Sequence, residues 1–454
     1  MSDVIKISRR IGWRKIDNAV VVFNCSNQEL SILNESASEL WDSLVIGANI
    51  EQLKALLRDR YLLKMAQAEK DVLNFLKELS QSGFIIIPSY SWEVNKPKND
   101  DDNKKGEDLL LEIELRAIEK LIPFAVTFET TYSCNENCIH CYMDRNRASL
   151  PLSQIKRILA ELANENCLFL SLTGGEFFTR PDALEIIRFA DELHFVIDIL
   201  SNGLCIDEKI ARQLSDYSVR RVQISLYGSN PKTHDSITRV PNSFRKTIGA
   251  IKFLRQSNIK VEIAFPMMNI NFDERYELKD IAESMDCVLS PSPFITARNN
   301  GNRDTFQFRL TDEQLTAFID DKDFSEMYAG RKPFKEHKLY FNFSDIREAA
   351  PCYSGFNSCA ITPSGKVLPC NQLILEVGDL MKNSFSEIWR NSGPLRMLRN
   401  LKIRDLGECS ECKLLSNCNR CPGLAYIEYG DLLGPSPESC RVTNICDRLS
   451  SKGG

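Results

Sequence analysis

The chain lacks the features that mark several protein classes. Its 57 Lys and Arg residues nearly balance its 62 Asp and Glu residues, and the formal net charge is only -5 over 454 residues, so no basic surface for nucleic acid is expected. It has no run of about 18 apolar residues, which argues against a membrane span. Its first residues, MSDVIKISRRIGWRK, contain no apolar signal core. A cytoplasmic protein is therefore predicted.

Cysteine is abundant by contrast. Sixteen cysteines in a chain without a leader favour metal ligation over disulfides. Nine of them lie between Cys352 and Cys446, whereas a disulfide framework tends to spread its cysteines over a small chain. Histidine is scarce, and His194, His234 and His337 have no ligand-like spacing.

The first 95 residues predict a small α+β domain. A Val-rich strand at 20–25 precedes a helix that Asn34 can cap, two further helical segments (50–60 and 69–80) and a short strand at 84–88. The run KPKNDDDNKKGED (96–108) is charged and poor in apolar residues, and it predicts a flexible linker within a linker-and-helix segment, 96–122.

From residue 123 to 310 strands and helices alternate. Strands are predicted at 124–130, 167–173, 194–200, 220–226 and 259–265, with helices at 152–163, 182–193, 207–214, 244–256 and 273–284. This alternation predicts an α/β fold with a parallel sheet, doubly wound or closed as a barrel, whose chemistry lies at the carboxyl ends of the strands. A bridging region (311–350, with a helix at 311–320) and a C-terminal domain (351–454) follow.

The spacing Cys134-x3-Cys138-x2-Cys141 follows the first of these strands. Three thiolates in one short loop can hold three irons of a [4Fe-4S] cube and leave the fourth iron open to a small molecule. Zinc prefers four protein ligands, which this loop alone does not supply. The triplet therefore predicts an iron–sulfur cluster at the catalytic edge of the sheet.

Four more motifs follow later strands: SLTGGEFF (171–178), SNG (201–203), ISLYG (224–228) and HDSITRVPNSF (234–244). With the triplet, they resemble the radical S-adenosylmethionine (SAM) enzymes. The resemblance implies a partial (β/α)6 TIM-type barrel, in which SAM chelates the open iron. It also implies an external electron donor of the flavodoxin or ferredoxin type, whose electron cleaves SAM to a 5′-deoxyadenosyl radical.

The same resemblance implies the contacts to SAM. Its ammonium would meet Glu176, its carboxylate Arg239 and its adenine His140, while glycines let the backbone approach. Tyr227 stands where the family usually has an acidic residue. The implied SAM-binding set is His140, Gly174, Gly175, Glu176, Ser201, Asn202, Ser225 and Arg239.

The C-terminal cysteines resemble the SPASM extension of radical SAM peptide maturases, through Cys352-x12-Gly365-x4-Cys370 and Cys409-x2-Cys412-x5-Cys418-x2-Cys421. This resemblance implies two auxiliary [4Fe-4S] clusters, three in all. One would bind Cys352, Cys370 and Cys421, with Cys359 as the plausible fourth ligand. The other would bind Cys409, Cys412, Cys418 and Cys440, and Cys446 is left unplaced. A zinc ribbon is the alternative, because CxxC pairs also suit zinc. Cys25, Cys167, Cys205 and Cys287 are predicted to be small core residues.

The N-terminal domain is similar to the small peptide chaperone of pyrroloquinoline quinone biosynthesis, through VVVFNCSNQELSILNESASELWDSL and GFIIIP. This fold, the RiPP recognition element, binds the leader of a ribosomal peptide, and an exposed sheet edge can accept such a leader as an added strand. A DNA-binding winged helix is disfavoured because the helix at 69–80 is charge-balanced.

Together these segments predict an enzyme that modifies a ribosomally synthesised precursor peptide by hydrogen abstraction, with an intramolecular thioether as the expected product. The alternatives are a carbon–carbon or carbon–oxygen crosslink, epimerisation, a sulfatase-type formylglycine maturase, or a redox-sensing or zinc-containing binding module. The sequence leaves the peptide, the bond and the oligomeric state open.

Overall fold

The computed structural model describes residues 5–88, 100–143, 148–327 and 344–451. Its strands form a two-stranded, a three-stranded and a nine-stranded sheet. The large sheet carries the α/β architecture that the sequence predicts. His337 lies outside the described residues.

The N-terminal domain is a small antiparallel sheet covered by three helices. Its sheet has the order β2-β3-β4, and Val20, Val22 and the fully buried Trp41 lie in the core between sheet and helices. The side chain of Asn34 accepts a hydrogen bond from Ala37 N, which confirms the predicted helix cap. The elements are β1 (Lys6–Ile7), β2 (Ile11–Ile16), β3 (Ala19–Asn24), β4 (Glu29–Leu33), α1 (Glu35–Val45), α2 (Ile50–Tyr61), α3 (Met65–Gln81) and β5 (Ile85–Ile86).

The segment after this domain corrects one prediction. Residues 96–108 were expected to form a flexible linker, but helix α4 (Asp100–Lys120) begins within that run. Farther along, Ile113 and Ala117 are buried against the N-terminal sheet. Burial of apolar residues beyond the charged run therefore favours a helix, rather than a flexible linker, in this segment.

Six parallel strands form the central sheet, in the order β11-β10-β9-β8-β7-β6. The sequence missed β11, whose Ser and Pro residues are tolerated because, within the described ranges, it pairs with β10 alone. It also missed α8. The elements are β6 (Ala125–Glu129), α5 (Leu152–Asn164), β7 (Phe169–Thr173), α6 (Ala183–Glu192), β8 (Val196–Ser201), α7 (Glu208–Leu214), β9 (Val219–Ser225), α8 (Pro231–Thr238), α9 (Ser243–Gln256), β10 (Val261–Pro266), α10 (Arg275–Ser284) and β11 (Val288–Ser292).

The C-terminal region extends this sheet instead of standing apart from it. Strand β12 (Ser358–Ile361) pairs in parallel with β6, and β13 (Lys366–Leu368) and β14 (Gly378–Asp379) continue antiparallel. Helix α11 (Asp312–Asp320), capped by Thr311, confirms the helix predicted at 311–320. The remaining helices are α12 (Lys322–Ser325), α13 (Phe385–Asn391), α14 (Gly393–Asn400), α15 (Pro422–Tyr429) and α16 (Pro437–Ser450).

The N-terminal domain docks on the amino ends of the central strands. Trp13 N donates to His194 O (3.2 Å), just before β8. Arg10 donates to Tyr217 O (3.0 Å) and Val219 O (2.6 Å), at the start of β9. The sequence did not predict this contact, which leaves the carboxyl ends of the strands on the opposite side. Among the described helices, none is long and apolar enough to cross a bilayer.

Candidate active site and cluster-binding cysteines

A cavity of about 310 Å³ lies at the carboxyl ends of the central strands. The loop after β6 and the ends of β7, β8 and β9 supply much of its wall. It brings together nine of the predicted residues: Cys134, Cys138, His140, Cys141, Gly174, Gly175, Ser201, Asn202 and Ser225.

The three thiols of the loop lie close enough to interact. Burial raises the pKa of the Cys138 thiol, and the negative charges of Glu136, Cys141 and Cys134 raise it further. Backbone hydrogen bonds from Asn137 N to Thr238 O (3.0 Å) and from Ile139 N to Ile237 O (3.1 Å) hold the loop against α8. Crowded thiolates are unfavourable without positive charge, which the irons of a cluster would supply.

The two glycines after β7 are required by a close approach of two loops. A Cβ on Gly174 would lie 2.5 Å from Thr131 O, and one on Gly175 would lie 2.4 Å from Ser133 O. No side chain fits at either position without moving backbone. The glycines therefore pack the loop that follows β7 directly against the loop that carries the cysteines.

Glu176 is a buried carboxylate behind the cavity wall, 1% exposed. It accepts hydrogen bonds from Ser201 Oγ (2.9 Å), Asn202 N (2.7 Å) and Phe178 N (3.0 Å). Burial raises its pKa, and the structure pairs it with no cation among the described residues. A buried carboxylate is destabilising unless a positively charged group pairs with it. The residues present therefore fit a ligand with an ammonium group, such as SAM.

His140 and Tyr227 form an aromatic wall of the same cavity. Their rings meet edge to face with centroids 4.8 Å apart. Burial lowers the pKa of His140 to about 4, so its ring is neutral at pH 7, and its buried Nδ1 has no partner in the described part of the chain. The Tyr227 hydroxyl lies 4.0 Å from Cys138 Sγ. Burial raises the pKa of Tyr227, so a neutral hydroxyl stands in the acidic residue's place.

Arg239 is not brought to this cavity. It follows α8 in a left-handed conformation (φ 58°), is exposed and does not line the cavity wall. The predicted contact between Arg239 and the carboxylate of SAM is therefore not supported by its position.

A second cavity, of about 410 Å³, is lined by Cys352, Cys370 and Cys421. Burial, together with the charges of Cys352 and Cys421, raises the pKa of Cys370 to about 11. The predicted fourth member, Cys359, does not line this cavity. It is 4% exposed and belongs to the barrel core, beside Cys167 and Arg399. Side chains alternate along a strand, so β12 presents Ser358 to the cavity and Cys359 to the opposite face.

A separate group contains Cys409, Cys412, Cys418 and Cys440. Burial is the largest cause that raises the pKa of the Cys440 thiol, and the negative charges of the other three thiols raise it further. Cys446, further along α16, packs against the barrel core instead. In the described ranges no three His, Cys, Asp or Glu side chains are placed to share one metal ion. A cube does not require this, because each thiolate binds a different iron.

Three residues near these cavities were not singled out from the sequence. Tyr142 and Gln372 line the first cavity, and Glu129 ends strand β6 beside it. Gln372 also lines the second cavity. Position at a strand's carboxyl end was the available signal for Glu129. No local pattern marks Gln372, whose place depends on how the C-terminal region folds over the barrel.

Three family profiles match the chain. They are the radical SAM superfamily (residues 128–283), the SPASM iron–sulfur cluster-binding domain (352–422) and coenzyme PQQ synthesis protein D, PqqD (19–85). The chain is thus an enzyme that combines a radical SAM domain and a SPASM domain with an N-terminal PqqD domain.

Relatives extend this assignment. An AdoMet-dependent heme synthase of Methanosarcina barkeri is 26% identical over 346 residues, 69% of this chain and 95% of that protein. The subtilosin biosynthesis protein AlbA of Bacillus subtilis is 25% identical over 341 residues, 72% of this chain and 71% of AlbA. Streptococcus suis SuiB, solved with its precursor peptide SuiA, shares the fold with a TM-score of 0.59 at 17% identity, over 96% of this chain and 99% of SuiB.

Proposed function

We propose that this protein modifies a ribosomally synthesised precursor peptide by hydrogen abstraction and joins a cysteine sulfur to a carbon of another residue. The PqqD domain, the likeness to AlbA and the fold shared with peptide-bound SuiB support a peptide substrate. Bound SAM and its cluster supply the 5′-deoxyadenosyl radical for this chemistry.

The observation that carries the thioether proposal is the contact between two cavities. Gln372 lines both the cavity with the Cys134, Cys138 and Cys141 thiols and the cavity with the Cys352, Cys370 and Cys421 thiols. Gln372 therefore lies between the site of hydrogen abstraction and a cavity that three thiols line among the described residues. A cluster held by these thiols would lie beside the site of hydrogen abstraction, which suits it to take up the surplus electron of the crosslink.

The chain's own residues would hold the cofactors. Cys134, Cys138 and Cys141 hold the first cluster, and Glu176 accepts from the ammonium of SAM. The neutral His140 ring offers an apolar face to the adenine. Cys409, Cys412, Cys418 and Cys440 hold a third cluster. That count of three, reduction by a flavodoxin or ferredoxin and a cytoplasmic location remain predictions.

The leader of the precursor would bind to the N-terminal domain. Strand β4 is an outer strand of the three-stranded sheet, and no further strand pairs with it within the described residues. The opposite outer strand, β2, faces the barrel, where Trp13 N bonds to His194 O. We therefore place the added leader strand along β4.

A tetrapyrrole substrate is the second candidate. It is favoured by the relative named as a heme synthase, 95% of whose length this chain matches. A free tetrapyrrole needs no leader-binding domain, so the PqqD match favours the peptide.

The test uses the full chain, reconstituted anaerobically, with the cysteine-bearing peptide of a short reading frame beside its gene. A crosslink removes about two hydrogens, one from each joined atom, whereas an epimer keeps its mass. A thioether also removes one thiol from alkylation by iodoacetamide, which a carbon–carbon crosslink does not. A precursor with the cysteine changed to serine is the control.

Haem-type tetrapyrrole is offered to the same preparation in parallel. Loss of two hydrogens together with one alkylatable thiol supports the proposal. An unchanged peptide beside an altered tetrapyrrole would overturn it in favour of the second candidate.

A further inference from the structure

Glu129 is a second buried carboxyl group at the carboxyl ends of the strands. It is the last residue of β6, lies opposite Thr173 of β7 in the sheet and is 6% exposed. None of the roles assigned above involves it. Its surroundings differ sharply from those of Glu176.

Glu129 lines a third cavity, of about 230 Å³, between the C-terminal extension of the sheet and the loop after β11. Much of the wall is polar and comes from the cluster loop, from β12 and β13 with their turn, and from the β11 loop: Tyr132, Asn299, Asn300, Thr362, Ser364, Lys366 and Asn371. A volume of this size holds a side chain of a substrate. The cavity lies where β12, rather than a further barrel strand, pairs with β6.

The hydrogen bonding of Glu129 leaves it with spare capacity to accept a proton. Glu176 accepts three hydrogen bonds, whereas Glu129 Oε1 accepts one side-chain bond, from the Tyr142 hydroxyl at 3.3 Å. Tyr142 also lines the first cavity, so Glu129 and Tyr142 lie in the wall between the first and the third cavity.

The titratable groups that face Glu129 do not neutralise it. Tyr132 and Tyr142 are phenols, and Glu376 is itself acidic. Lys366, the one cation lining the described cavity wall, pairs with Glu376 (2.7 Å) and Asp379 (3.1 Å). Glu129 is thus a buried carboxyl group whose charge has no cationic partner among the described residues.

We propose that Glu129 is the proton acceptor of the crosslinking reaction and takes the thiol proton of a substrate cysteine that enters this third cavity. The proposal rests on the proposed thioether function. In the balanced step, the C–H hydrogen leaves as an atom to the 5′-deoxyadenosyl radical and the S–H proton passes to the Glu129 carboxylate. The carbon–sulfur bond forms, and the surplus electron is taken up by an auxiliary iron–sulfur cluster.

The chemistry of Glu129 suits that role. Burial raises its pKa to about 7, with the Tyr142 hydrogen bond opposing this rise. Both protonation states are then populated near neutral pH, as an efficient general base requires. Glu176, whose hydrogen bonds favour its charged form, is suited instead to holding a cation.

The first readout needs no cofactor. Infrared spectra of the cluster-free full chain should show a protonated-carboxyl band that titrates near pH 7 and is absent from Glu129→Gln. Glu114→Gln is the matched control, because Glu114 is a partly buried carboxyl group of α4 whose pKa burial also raises and which does not line this cavity. It should leave that band in place.

The second readout uses the reconstituted enzyme with peptide. Glu129→Gln should still transfer deuterium from labelled peptide to 5′-deoxyadenosine but form crosslinked peptide roughly 100-fold more slowly, and Glu129→Asp should recover part of that rate. Crosslinking by Glu129→Gln at the wild-type rate, or loss of SAM cleavage in that variant, would overturn the proposal. If the wild-type enzyme forms no crosslink, the proposed function fails instead, whatever the infrared titration shows.

Discussion

The two ends of the central sheet differ in how completely their buried polar groups are paired. At the carboxyl ends, Glu176 has no cation, His140 Nδ1 has no hydrogen-bond partner and Glu129 accepts a single side-chain bond, within the described residues. At the amino ends, polar groups are largely matched across the seam with the N-terminal domain. Arg10 donates to two carbonyl groups, and the Cys25 thiol donates to Ser218 O.

Apolar packing shows the same contrast. Phe23 of the N-terminal sheet meets Phe169 at the start of β7 edge to face, with centroids 5.9 Å apart. Trp13 and Arg14 are exceptions at this end. Trp13 Nε1 and Arg14 Nε and Nη2 have no hydrogen-bond partner among the described residues, although the Arg14 guanidinium lies over the Phe195 ring. The difference teaches that one end supplies stability while the other keeps buried polar groups available for ligands.

The largest effect is expected from breaking the carboxyl end. Replacing Cys134, Cys138 and Cys141 by Ala should abolish 5′-deoxyadenosine formation, because no thiolate remains to hold the cluster that binds SAM. Iron content should fall from about twelve to about eight per chain, counted as cubes of four. Chromatography of 5′-deoxyadenosine and an iron assay measure both.

Cys287→Ala is the matched control for that experiment, because Cys287 packs beside the barrel core and burial raises its pKa to about 11. It should leave iron content and 5′-deoxyadenosine formation unchanged. Unaltered 5′-deoxyadenosine formation by the triple variant would contradict the site described here.

The carboxyl end was largely predictable and the amino end was not. The cysteine triplet and the glycines at 174 and 175 follow strands, and parallel strands deliver their ends to one edge, so order along the chain implied a shared site. Contacts between distant surfaces carry no such signal. Docking of Trp13 on His194, the pairing of β12 with β6 and the position of Gln372 therefore appeared only in the structure.

Cys359 and Arg239 show that a match to a family motif does not fix where a side chain points. Each fits a family spacing, yet strand alternation turns Cys359 to the core and α8 ends before Arg239 reaches the cavity. A spacing fixes which residues are near in the chain, whereas side-chain direction depends on the backbone of the element that carries them.

Removing the N-terminal domain, which covers the amino ends of the central strands, should have the next largest effect. Deleting residues 1–95 would expose Phe124, Leu168 and Val196, which are buried in the cluster shared with the N-terminal sheet. Each such apolar side chain is worth about 1.5–3 kcal/mol when fully buried. We therefore expect a clear fall in the melting temperature and weaker SAM cleavage, besides the loss of peptide modification that follows from losing leader binding.

Thermal unfolding and 5′-deoxyadenosine formation by the truncated protein, compared with the full chain, check this expectation. A truncated protein with an unchanged melting temperature and full SAM cleavage would show that the N-terminal domain serves the leader alone. The contrast between the two ends would then be wrong for the amino end.

The smallest effect concerns one histidine in the seam. The His194 ring stacks on Trp13, with centroids 5.2 Å apart. Burial lowers the pKa of His194, and the charge of Arg14 lowers it further. Because the folded-state pKa lies below the unfolded value of about 6.5, the unfolded chain binds more protons as pH falls. The contribution of His194 to stability is therefore complete above about pH 6.5 and is lost progressively below it.

His194→Asn isolates this contribution, since asparagine tolerates the left-handed backbone found there (φ 59°). The wild type should lose more melting temperature than the variant between pH 8 and pH 5.5, by on the order of 1–2 °C. The difference between the two proteins is the measurement, because the buried His140 and His234, whose pKa burial lowers to about 4, add the same slope to both. Parallel curves of melting temperature against pH would show that proton binding at His194 is not coupled to docking of the N-terminal domain. Stacking on Trp13 would then be equally favourable for the neutral and the protonated ring.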